Sequence, residues 1–127
     1  MKITDLFEDI GPKEQRTIED FIKWVSKKIH LKGQPPQIEF SYDTKTAQDE
    51  HHTGSYNHST GKLWVYAANR NLVDILRTVA HELVHVRQYE LNQVNSSGPG
   101  SPVEVQADEV AGFLMKLWIA KHHDTIQ

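Results

Sequence analysis

RTVAHELVHVRQYE, residues 77–90, sets His81 and His85 four positions apart with Glu82 between them. In a helix, residues four apart lie on one face about a turn from each other, so both imidazoles can reach a single ion. Glu82 sits about 100° around the axis from His81, outside that shared corner but able to contact a water held by the ion. Zinc suits imidazole nitrogen, takes three protein ligands in hydrolytic sites and keeps a fourth position for water. Water bound there ionises near neutral pH and becomes a usable nucleophile. The competing reading is a solvated face. Leu72, Ile75, Val79, Leu83 and Val86 form an apolar stripe, with Asp74, Thr78, His81, His85 and Gln88 opposite. Ala80 and Val84 extend the apolar surface around the side and leave only a narrow polar notch, which favours the metal.

Two imidazoles do not complete a hydrolytic centre. A third histidine six residues after His85, with an intervening glycine, marks one large class of zinc peptidases. Leu91 and Gln88 hold those two positions, which excludes it, and with no cysteine in the chain a thiolate ligand is excluded too. The remaining common solution is a glutamate from a following helix. SPVEVQAD, residues 101–108, offers Glu104, with Asp108 one turn further on the same face. The first acid would ligate; the second would orient a ligand imidazole and raise its basicity. Ser101 and Glu104 also fit a capping box, and alone Glu104 reads as a cap. Together with the upstream histidines and Asp108 it reads as a ligand. Glu109 points elsewhere.

Around these segments the pattern is that of a small α+β domain. Ile18, Phe21, Ile22, Val25 and Ile29 recur at helical spacing and predict a helix over 13–30, stopped by Gly33 and the Pro35–Pro36 pair. QIEFSY, residues 37–42, alternates as a strand, and KLWVYAA, residues 62–68, reads as a second. The polar stretch 43–61 between them reads as an extended loop or irregular hairpin; its His51, His52 and His58 raise the idea of a second metal, but composition favours an exposed hairpin. Asn71 predicts the N-cap of a helix from Leu72 to about Leu91, and Ser101–Pro102 the start of another ending near Lys121. The expected whole is one domain over residues 1–127: an N-terminal helix, a small sheet of two or three antiparallel strands, then two helices. Trp24, Trp64, Trp118, Phe21 and Phe113 are expected in the core. Tyr89 is expected to pack at the rim of its helix, and His122 and His123 to be solvated.

Composition bounds the function. Hydrophobic residues at 38% and charged ones at 24% are ordinary for a globular domain, and 127 residues can bury a substantial core. A net charge of -3 offers no footprint for nucleic acid. There is no apolar run long enough to span a membrane and no apolar N-terminal stretch of the kind a secretion signal needs, so a soluble, cytoplasmic protein is expected.

His-Glu-x-x-His at 81–85 followed by Glu-x-x-x-Asp at 104–108 resembles the gluzincins, the thermolysin-like zinc peptidases. The likeness is strongest to their minimal single-domain versions, the minigluzincins, including small phage-type metallopeptidases. It covers about residues 54–118 and rests on the two motifs in this order on neighbouring helices. The resemblance implies a minimal zincin-like fold with one zinc per chain, held by His81, His85 and Glu104. It implies Glu82 as general base and proton shuttle, and Asp108 hydrogen-bonded to His81. KLWVYAA would be the edge strand over the site, along which a peptide or protein substrate lies antiparallel. A phage-encoded chain would work in the host cytoplasm or the virion. A counterpart of thermolysin's large C-terminal helical domain, with its oxyanion-stabilising histidine, is not expected within these 127 residues. The expectation is a zinc endopeptidase. The alternative is a catalytically silent zinc-binding structural or interaction protein on the same fold; a nucleic-acid-associated metalloprotease is disfavoured by the charge.

Overall fold

A computed structural model describes residues 11–42, 53–68, 70–93 and 100–122. Helix α1 spans Pro12–Lys28, strands β1, β2 and β3 span Gln37–Ser41, Gly54–Asn57 and Lys62–Tyr66, and helices α2 and α3 span Leu72–Glu90 and Pro102–Lys121. The expected α+β class holds, and three of the helix signals act as read. Asn71 Oδ1 accepts from Asp74 N at 2.9 Å, Ser101 Oγ accepts from Glu104 N, and Pro102 opens α3 at a position where its missing N–H costs nothing.

The sheet departs from expectation in three ways. Its order is β1-β3-β2, and β1 runs parallel to β3 rather than antiparallel. The KLWVYAA strand is central, not an edge; the edge facing α2 is β2, a four-residue strand inside the stretch expected to be irregular. β2 pairs antiparallel with β3 through a turn in which Gly61 adopts φ +69° and Asn57 Oδ1 accepts from Ser59 N and Thr60 N. Parallel pairing of β1 is non-local and leaves no mark on either strand's own alternation.

α2 is the central element. α1, β2, β3 and α3 all pack on it, and its Ile75, Leu76, Val79, Ala80 and Leu83 join Ile18, Phe21 and Val25 of α1, Leu63 and Val65 of β3, and Leu114, Met115 and Trp118 of α3 in one core. Phe21, Trp24 and Trp118 meet ring to ring, as expected. Phe113 does not belong there: it is 61% exposed on the outer face of α3, and Trp64 is half-buried. α1 ends before Gly33, where His30 takes a left-handed φ of 61° and Leu31 N donates to Ser26 O. His122 stacks on Trp118 instead of standing in solvent, while His123, His51 and His52 lie outside the described residues. Among the described residues no helix is long and apolar enough to cross a membrane.

The turn after α1 is fastened to the end of α2 by one carboxylate. Glu90 accepts from Lys32 N at 3.0 and 3.1 Å, from Gly33 N at 3.1 Å and from Arg87 Nη1 at 3.3 Å. Burial opposes its ionisation, but these donors outweigh it and hold the carboxyl below its ordinary value. A depressed carboxyl stabilises the fold above its unfolded pKa and stops doing so as pH falls through the folded one. Glu90→Ala is therefore expected to cost about 1 kcal/mol at pH 7, since water can partly replace it at the freed amides. Urea denaturation of the two proteins should show that gap at pH 7 and its shrinking as pH falls below the ordinary carboxylate range.

Candidate metal centre

Three side chains from two helices converge beside β2. His81 and His85 rise from one face of α2, and Glu104 comes from the first turn of α3. His81 Nε2 and His85 Nε2 stand 3.1 Å apart; Glu104 Oε2 lies 3.3 Å from the first and Oε1 2.7 Å from the second. Both oxygens face the imidazoles, so Glu104 joins the cluster while its backbone N–H takes the Ser101 cap. Only the Ser101 half of the capping box is seen; the carboxylate that its other half would use faces the imidazoles instead.

The outer nitrogens are engaged too. His81 Nδ1 donates to Asp108 Oδ1 at 2.9 Å, and His85 Nδ1 to Gln88 Oε1 at 2.7 Å. With both Nδ1–H groups directed outward, two nitrogen lone pairs and a carboxylate face one another. Such a set repels itself unless a cation or proton sits among it. Ligands about 2.0–2.1 Å from a tetrahedral ion stand about 3.3 Å apart, close to the separations seen here. The donor set and its spacing fit a divalent ion. Asp108 is 74% exposed, so it orients His81 more than it stabilises the fold.

Glu82 lies beside this cluster and is only 6% exposed, with Oε2 4.0 Å from His81 Nε2. Burial pushes its carboxyl up to about 7; the neighbouring Glu104 charge adds to the rise and His85 opposes it. A carboxyl poised near neutrality can take and return a proton.

Packing of β2 on α2 makes the notch. A Cβ built on Gly54 would fall 2.6 Å from Thr78 Cγ2 and 3.3 Å from Glu82 Cγ, so only glycine lets the strand approach this closely. Thr78 cannot easily yield. Its Oγ1 accepts from Arg70 Nη2 at 2.7 Å, and the same guanidinium spans Tyr66 O and Asp74 O. Gly54→Ala is expected to lift β2 off the helix and cost about 1–3 kcal/mol, read as a lower urea midpoint. An unchanged midpoint would show that the strand is not seated as described.

Sequence reasoning anticipated His81, Glu82, His85, Glu104 and Asp108, and these five lie together. It missed Gln88, assigned to a polar stripe but 1% exposed beneath α3. Its position one turn beyond His85, toward the residues leading to α3, was the available signal. Tyr89 packs, as expected, against Tyr56 and the ring of His58, and His58 is not in the cluster. A separate groove, lined by Ile18, Ile22, Pro36, Ile38 and Phe40 together with the polar Gln15 and Glu19, involves none of these residues. Comparison of the chain with protein-family models, with curated proteins and with solved structures finds no match in any of the three.

Proposed function

We propose that the protein is a zinc-dependent endopeptidase of minimal gluzincin type. The observation that carries the reading is the convergence of His81 Nε2, His85 Nε2 and a Glu104 carboxylate beside the buried Glu82. His81, His85 and Glu104 would hold the ion. Zinc bound there supplies Lewis acidity, ionising a water and polarising a carbonyl. Glu82 takes the proton of the attacking water and carries it to the departing amine nitrogen, from a buried position with Oε2 4.0 Å from His81 Nε2. Asp108 and Gln88 keep the Nδ1 protons of the imidazoles, so their Nε2 atoms stay basic.

The substrate would lie along β2. Tyr66 N donates to Thr53 O directly across the β2–β3 pair, so by the alternation of an antiparallel ladder Ser55 and Asn57 also turn inward. Gly54 and Tyr56 then present their N–H and C=O groups at an edge that no strand among the described residues pairs with, where an extended peptide can add a strand. This moves the substrate-binding edge from residues 62–68, where the resemblance put it, to residues 54–57.

The test is metal content and proteolysis together. Protein purified without chelator should carry one zinc per chain and cleave an unfolded protein substrate, with cleavage abolished by chelator and restored by zinc. Stoichiometric zinc without cleavage of any member of a peptide library would replace this reading with that of a silent zinc-binding protein. No bound zinc would overturn both.

A further inference from the structure

We propose that Gln88 is the positioning residue of this centre, one amide that sets both the proton of His85 and the placement of Glu104. The inference rests on the metal-centre reading and deepens it. Among the described residues Gln88 is the most deeply buried polar side chain, and each of its amide atoms is engaged. Nε2 donates to Val103 O at 2.9 Å and to Gln106 Oε1 at 2.7 Å; Oε1 accepts from His85 Nδ1 at 2.7 Å.

The orientation of the amide follows from its partners. A backbone carbonyl can only accept, so the nitrogen of Gln88 must face Val103 and its oxygen must face His85. An oxygen there requires the imidazole proton on Nδ1, which leaves the Nε2 lone pair directed at the Glu104 side. The two groups taking the nitrogen's protons, at residues 103 and 106, bracket residue 104 on the first turn of α3. One side chain therefore presets two of the three ligand donors, from two helices. His81 is set independently by Asp108.

If Gln88 served only to glue α2 to α3, the His85 proton would be indifferent to it. NMR of the ¹⁵N-labelled, zinc-loaded protein separates the two roles. Wild type should show a His85 Nδ1–H resonance protected from solvent exchange. Gln88→Met, similar in size but unable to accept, should lose that protection and bind zinc about 10–100-fold more weakly by chelator competition. Gln88→Glu keeps an acceptor and should restore the protected proton. Absence of the resonance in wild type overturns the proposal even if the methionine variant fails to fold. Equal zinc affinity in wild type and Gln88→Met overturns it as well. That result beside intact proteolysis would leave the peptidase reading standing, whereas zinc binding that depends on Gln88 without any proteolysis would leave only this one.

Discussion

Glu82→Gln should keep zinc at one per chain and lower the rate of peptide cleavage by about 10²–10⁴-fold, the usual contribution of a positioned acid–base group. Glutamine fills the same space between α2 and β2 but can neither take a proton from water nor return one. The variant also carries a second signature. In the metal-free protein the Glu82 carboxyl is raised from 4.5 to about 7, so between those values the folded chain holds a proton that the unfolded chain has released. Stability therefore falls as pH rises through that window and stays reduced above it. The full shift corresponds to about 3 kcal/mol, an upper figure for a buried group with charged neighbours. Metal-free Glu82→Gln should lack this slope and be more stable than wild type at pH 8 by about 1–3 kcal/mol. Cleavage at the wild-type rate would remove Glu82 from the mechanism; parallel stability profiles would mean that its carboxyl is not held neutral by burial.

Glu104→Ala is expected to have the largest effect on metal binding. It deletes a donor that touches both imidazoles, at 3.3 and 2.7 Å, and removes the only negative charge among the three proposed ligands. Zinc affinity should fall by more than about 100-fold, beyond the 10–100-fold usual when an outer hydrogen-bond partner is lost, and proteolysis should vanish with it. The fold should survive, because the Ser101 cap uses the backbone N–H of residue 104 and not its carboxylate. Metal content per chain, with circular dichroism as the control for folding, reads both. Undiminished zinc in a folded Glu104→Ala protein would mean that the ion is held elsewhere.

The sequence carried most of this site because its parts are local. His81, Glu82 and His85 occupy a single turn, Asp108 follows Glu104 by one turn, and capping at Asn71 and Ser101 involves residues three apart. Local hydrogen bonding and the 3.6-residue period govern all of these. Gln88 escaped because a glutamine on a helix face reads as solvated until another helix covers it. Phe113 misled in the opposite direction: an aromatic among apolar neighbours reads as core until its face is found to have no partner among the described residues.

Taken alone, the chain determined the three helices seen among the described residues with two of their N-caps, the α+β class and the order of the candidate ligands. Only the tertiary structure decided that β1 runs parallel to β3, that β3 is central and β2 the edge, and that Glu104 turns toward the imidazoles. The physical reason is range. Helix periodicity and capping are settled within about four residues of chain, whereas strand order, burial of Gln88 and the meeting of α2 with α3 depend on contacts between residues far apart in sequence, which no local pattern encodes.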